Sequence, residues 1–152
     1  MSVTSVRGAE GLRSLAGTHL GYSGWRQISQ ATIDRFADAT DDHQWIHVDL
    51  ERAAAGPFAG TIAHGYLTLA LVVSLLSEIL DVEGVRMGVN YGCNRVRFPA
   101  PVPAGARVRL GALLKEVASV EGGVQVLIEA TVEVEGVAKP GCVAEVIYRY
   151  YA

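Results

Sequence analysis

Residues 61–80 read TIAHGYLTLALVVSLLSEIL, and this stretch decides the fold. From Tyr66 to Leu80 the apolar residues Leu67, Leu69, Ala70, Leu71, Val72, Val73, Leu75, Leu76, Ile79 and Leu80 cover nearly the whole circumference of a helix. A helix that is apolar all round must be surrounded by protein. The run is short for a membrane span and ends in charge at Glu78 and Asp81, so it reads as a buried central helix.

What surrounds it lies downstream, where the hydrophobic period changes to two. Four strand-like runs follow, Met87 to Phe98, Arg107 to Val120, Gly123 to Gly136 and Cys142 to Tyr150. In the third, Val124, Val126, Ile128, Ala130, Val132 and Val134 alternate with Gln125, Glu129, Thr131 and Glu133, Leu127 being the one apolar exception. One face therefore meets a core and the other meets water. Prolines 99, 101 and 103 with Gly105 separate the first run from the second, and Glu121-Gly122-Gly123 makes a hairpin turn. The expected class is α+β, a helix laid against an antiparallel sheet that largely encloses it.

Upstream, Ser29 caps a helix from Gln30 to Ala39, with Ile33, Phe36 and Ala37 on one face, ending near Thr40. Residues 41–47, DDHQWIH, carry neither helical nor alternating period and read as an ordered irregular segment. Asp49 caps a short helix through Arg52 to Ala55, stopped by Gly56-Pro57. Residues 1–24 form a lead segment whose one weakly amphipathic piece, Glu10 to Ala16, says little about function.

The 152 residues, half of them hydrophobic, fit one domain spanning 1–152 that buries roughly two-thirds of its unfolded surface. The two cysteines, Cys93 and Cys142, lie in strand-like sequence far from metal-ligand spacing and fit a reducing, cytoplasmic compartment. Arg7, Glu10 and Arg13 interrupt the first residues, which lack the apolar core of a secretory signal. A net charge of −3 gives no general attraction to nucleic acid or anionic membranes.

Residues 36–68 hold three of the four histidines. A carboxylate and an imidazole that reach one water can orient it, take its proton and deliver a proton elsewhere, and Asp42 with His47 is such a pair if the segment bends. Spacing alone leaves a second reading open, in which Asp41 and Asp42 terminate the helix and His47 is a satisfied loop histidine. His64-Gly65 is equally two-sided. Free N–H groups at the start of the apolar helix can hold an oxygen that gains charge, or Gly65 relieves crowding and His64 is a polar cap.

A resemblance separates these readings. His64-Gly65 at the mouth of a buried helix, preceded by FADATDDHQWIHVDLERAA (36–54) and followed by NYGCNRVRFPAPVPAGARVR (90–109), closely resembles the MaoC-like, R-specific enoyl-CoA hydratases of the hot-dog fold, in particular the short single-domain actinobacterial members. The resemblance runs from about Trp25 to Ala152. It implies a single hot-dog domain, with an antiparallel sheet wrapped around the long central helix. The motif of that family, Gly-Asp-x-Asn-Pro-x-His, falls on residues 41–47. Asp42 and His47 align with its catalytic pair, and Gln44, in place of Asn, would orient the Asp or the substrate. Asp41 stands where the family has glycine, setting a second carboxylate beside the first, and Trp45 stands where it has proline.

The implied reaction adds water across the trans-2 double bond of an enoyl thioester to give an (R)-3-hydroxyacyl thioester, or reverses it, with the Gly65 N–H holding the thioester oxygen. The substrate would be an acyl-CoA or acyl-carrier-protein thioester; no cofactor or metal is implied. Phe58, Ile62, Tyr66 and Leu67 are candidates for the acyl slot, with His64 as a further substrate contact. Arg95 and Arg97, from the concentration at 86, 95, 97, 107 and 109, suit the phosphates of coenzyme A. The resemblance also implies a homodimer paired edge to edge. A hot-dog thioesterase and a non-catalytic acyl-thioester binder are the competing functions.

Overall fold

The structure is a computed structural model, and it describes residues 2–152. In chain order the elements are β1 (Thr4–Arg7), α1 (Gly8–Ser14), β2 (Thr18–Tyr22), β3 (Arg26–Gln27), α2 (Gln30–Thr40), α3 (Trp45–Val48), α4 (Leu50–Ala54), α5 (Gly65–Leu76), β4 (Leu80–Glu83), β5 (Met87–Arg97), β6 (Arg107–Val120), β7 (Gly123–Val134) and β8 (Cys142–Tyr151). The main sheet is antiparallel in the order β2-β6-β7-β8-β5, with β3 also paired to β6. The four expected strand runs are its four long strands. Strand β7 alternates strictly between buried and half-buried positions, as its period of two requires.

The β6–β7 hairpin closes through Val120↔Gly123. Gly122 between them has φ 77°, a left-handed conformation that glycine adopts without a Cβ clash. Helix α5 packs against β6, β7 and β8 of the sheet. Its Leu67, Val72, Leu75 and Leu76 join Leu110, Leu114, Val126 and Ile128 in one core, each large aliphatic side chain contributing about 1.5–3 kcal/mol on burial.

Two expectations about this helix are corrected. It ends at Leu76, not Leu80. The Glu78 N–H turns to the Leu75 carbonyl and that of Ile79 to Leu76, tightening the last turn, and the Glu78 carboxylate is drawn to Arg26 and the Gly24 N–H. Leu80 then enters β4, which runs parallel to β1. Nor is the helix covered on all sides. Tyr66 is 73% and Val73 47% exposed, and with Ala70 they form an apolar stripe beside the edge strand β5, where Met87, Val89 and Tyr91 are also exposed.

The lead segment is more ordered than its sequence suggests, since β1, α1 and β2 occupy most of it. Leu12 of α1 is fully buried. Both cysteines are free thiols on strands, Cys142 buried and Cys93 exposed on β5. Burial pushes the Cys142 thiol up to about 11. Among the described residues no helix is long and apolar enough to cross a membrane.

Candidate active site

The site is made where three short pieces of chain meet at the start of α5. Helix α2 begins as expected, with the Ser29 hydroxyl accepting from the Thr32 N–H, a cap worth about 1 kcal/mol. It ends at Asp41, whose φ of 60° and ψ of 22° are left-handed. Asparagine and aspartate tolerate this region better than other side chains. The backbone thus explains why a glycine suits position 41, and it sends the Asp41 carboxylate out to solvent, 3.6 Å from His43 Nδ1. The Asp41 carboxylate joins Asp38 and His43 in a surface cluster, in which the Asp38 hydrogen bond raises the His43 pKa.

The segment after Asp42 is not wholly irregular. Trp45 opens the one-turn helix α3 at the first helical position, which proline also favours. Its ring packs on Arg52, 4.3 Å from centroid to guanidinium carbon, and against Gly56. The Gln44 side chain is exposed and makes no capping bond. Its orienting contact is made instead by the backbone, whose N–H lies 3.4 Å from Asp42 Oδ1.

Helix α3 delivers His47 into the interior, 6% exposed. Its Nδ1–H donates to the Ile62 carbonyl at 2.7 Å, which fixes the tautomer and leaves Nε2 as the free acceptor. The Ile62 N–H returns a bond to the Ile46 carbonyl at 3.0 Å. Gln30 secures the same turn from α2. Its amide donates to the His47 carbonyl at 2.7 Å and to Asp34, and accepts from the buried Thr61 hydroxyl. Burial holds the His47 pKa below the ordinary imidazole value, with the Ile62 bond and Asp42 opposing it and His64 reinforcing it. His47 is therefore neutral near pH 7, the state a general base requires.

His64 is the residue before α5 and caps nothing with its side chain. It turns inward, donating from Nε2 to the Asp42 carbonyl at 2.9 Å. Its ring stacks on His47 with centroids 3.8 Å apart and planes at 23°. Asp42, His47 and His64 offer ligand atoms within 4.8 Å of one another. Each of the two histidines has one ring nitrogen committed to a backbone carbonyl, Nδ1 of His47 to Ile62 and Nε2 of His64 to Asp42.

Next to this group lies a cavity of about 370 Å³ lined by His47, Gly65 and Thr68, and by Phe58, Ile62 and Phe98. Phe58 and Ile62, expected in an acyl slot, are on its wall. Tyr66 is not; its ring points outward and meets Phe98 edge-on. Leu67 belongs to the core. As the first residue of α5, Gly65 has an N–H without an intrahelical acceptor. Its lack of a side chain, however, serves Phe98, whose ring lies closer than van der Waals contact to the place a Cβ would take.

Arg95 and Arg97 lie elsewhere, on exposed β5 beside a separate hollow with Glu129 and Glu145. Arg107 and Arg109 pair with Glu135 and Glu133, so the arginines close in sequence do not form one patch. Phe98, Thr68 and Gln30 are the site residues that sequence reasoning passed over. Phe98 follows the β5 run directly, Thr68 is the one polar residue in the first apolar turns, and Gln30 had been assigned only to a helix.

The fold is α+β, with Asp42 and His47 close together at the mouth of its central helix, and the relatives it matches make it a hydro-lyase of the hot-dog class. The family model described as a MaoC like domain matches residues 12–137, and the chain belongs to that family. It is 56% identical over 142 residues to 3-hydroxyacyl-thioester dehydratase Z of Mycobacterium tuberculosis, covering 93% of this chain and 94% of that protein. In fold it is similar to the monoamine oxidase regulatory protein of Archaeoglobus fulgius (TM-score 0.77, 21% identity, 100% and 99% of the two chains). It is similar also to the (R)-hydratase from A. caviae involved in PHA biosynthesis (TM-score 0.72, 20% identity, 88% and 94%).

Proposed function

We propose that the protein interconverts trans-2-enoyl and (R)-3-hydroxyacyl thioesters, acting on acyl-CoA or acyl-carrier-protein substrates without a cofactor. The observation that carries this reading is His47. Its Nδ1–H is committed to the Ile62 carbonyl, so Nε2 is the free base, and its ring is part of the same cavity wall as Gly65.

In the hydration direction a water held between Asp42 and His47 bonds through oxygen to C3. The π pair of the double bond moves toward the thioester carbonyl, whose oxygen gains enolate charge and is held by the Gly65 N–H. His47 Nε2 takes one proton from the water as the C–O bond forms and returns it to C2 on the same face, so the water supplies both the hydroxyl and the hydrogen and His47 ends neutral. One water is consumed, and dehydration is the same path reversed. Phe58 and Ile62 contact the acyl chain.

The stripe of Tyr66, Ala70 and Val73 beside the exposed edge strand β5 supports a homodimer formed on that face, since a contiguous apolar patch favours association. A cytoplasmic setting accords with the two free thiols.

The test follows enoyl-thioester absorbance with crotonyl-CoA and a longer enoyl-CoA, using wild type beside His47→Gln, with chiral analysis of the product. Turnover by wild type to the R product, reduced by about 10²–10⁴-fold in the variant, is the expected result. Release of free thiol without loss of the enoyl chromophore would replace this reading with thioester hydrolysis. Binding of acyl-CoA without turnover would make the protein a non-catalytic acyl-thioester binder.

A further inference from the structure

His64 is the least economical residue of the site. It is only 3% exposed, and its Nδ1 is buried without a hydrogen-bond partner among the described residues. An unsatisfied buried acceptor destabilises a fold, and a leucine would fill the same space without one. What the imidazole makes instead are links to both members of the acid–base pair. Its Nε2–H is on the backbone carbonyl of Asp42 and its face is on His47, with Phe36 packed on it at 4.9 Å.

We propose that His64 is a positioning residue for the hydratase reaction, its Nε2–H and ring face together fixing the Asp42 carboxylate relative to His47 Nε2. This inference rests on the function proposed above. Asp42 needs such an anchor. It is exposed, follows a left-handed residue, and its carboxylate makes one long contact, to the Gln44 N–H. The His64 bond is the tie between the Asp42 backbone and α5. The residue is absent from the cavity wall formed by Gly65, Phe58 and Ile62, so its influence on substrate runs through the two residues it touches.

The titratable groups that face His47 are Asp42 and His64; the segment before α5 brings the Ile62 carbonyl beside His64, and α2 brings the Gln30 amide. Removing the neighbouring imidazole therefore moves the protonation of His47 as well as the placement of Asp42.

The experiment compares wild type with His64→Leu, His64→Gln and His64→Asn, measuring kcat and KM with an enoyl-CoA, the dissociation constant of the saturated acyl-CoA, and the pH profile of kcat. His64→Leu is expected to lower kcat by about 100-fold, the scale of a misplacement near 1 Å, with KM and saturated-ligand affinity unchanged. Its acid limb should move to higher pH. Glutamine, whose amide reaches the place of Nε2–H, should restore much of kcat, whereas the shorter asparagine should not.

Wild-type kcat in His64→Leu overturns the proposal, and so does a raised KM at constant kcat, which would make His64 a substrate contact. A low kcat with an unmoved acid limb and no recovery by glutamine reduces His64 to a structural residue. Should the leucine variant fail to fold, the glutamine and asparagine variants decide, equal activity in the two being the overturning result. Absence of enoyl turnover in wild type overturns the function and this inference together, while turnover that His64→Leu matches overturns this inference alone.

Discussion

The ring of Phe98 lies on Gly65 so closely that a Cβ built there would be 2.8 Å from Phe98 Cδ2. Alanine is favoured over glycine in a helix by roughly 1 kcal/mol, but here it must displace a ring that lines the cavity. Gly65→Ala should lower turnover at least tenfold by moving both the ring and the helix start, with little net change in stability. In a Phe98→Ala background the same substitution should raise the thermal midpoint, the two changes being coupled in a double-mutant cycle.

The depressed pKa of His47 makes a signed prediction about stability. Between the folded-state pKa and the unfolded value near 6.5, the unfolded chain binds more protons, so stability rises with pH. The contribution of neutral His47 is present above pH 6.5 and is lost as pH falls toward the folded value. Unfolding in urea across this range should show that loss in wild type and a flatter dependence in His47→Gln. His43, raised by Asp38, has the opposite sign, but it lies at the surface and is screened; a His43→Asn background removes it.

Gln30 ties Asp34, the Thr61 hydroxyl and the His47 carbonyl together through one amide. Gln30→Ala leaves the buried Thr61 hydroxyl and the His47 carbonyl short of partners and should destabilise the protein by about 1–3 kcal/mol, measurable by urea unfolding. Turnover should fall as well, because the turn that carries His47 loses its tie to α2. Asp42→Asn supplies the contrast, with stability within about 0.5 kcal/mol of wild type and activity lost.

Val73 lies on the exposed stripe of α5, 47% accessible. Val73→Glu places a charge where the proposed dimer buries apolar surface and should convert the dimer to monomer in sedimentation or light scattering. A wild-type protein that is already monomeric at micromolar concentration would remove the dimer from the reading.

Much of this was legible in the sequence, for reasons that differ by element. The alternation in β7 and the turn at Gly122 are local signals, and the structure realises both. The Ser29 and Asp49 caps are local too, each accepting from the N–H three residues on. The end of α5 was not legible, since Ile79 and Leu80 are as apolar as the helix before them and only the pairing of β4 with distant β1 claims them. Asp42 and His47 could be named through resemblance, whereas spacing alone left them ambiguous. The role of Gly65 against Phe98, and the division of the arginines between separate faces, depend on contacts across dozens of residues that no local pattern encodes.

The pairing of β1 with β4, and of β2 with β6, also governs the order in which the chain can assemble. Thr4 finds its partner at Leu80, and Thr18 its partner at Leu114. During synthesis the first strands therefore leave the ribosome long before anything exists to hold them, while β6, β7 and β8 close by local hairpins as they emerge. The N-terminal strands therefore depend on partners far downstream in the chain, whereas the C-terminal meander is built from short-range hairpin contacts.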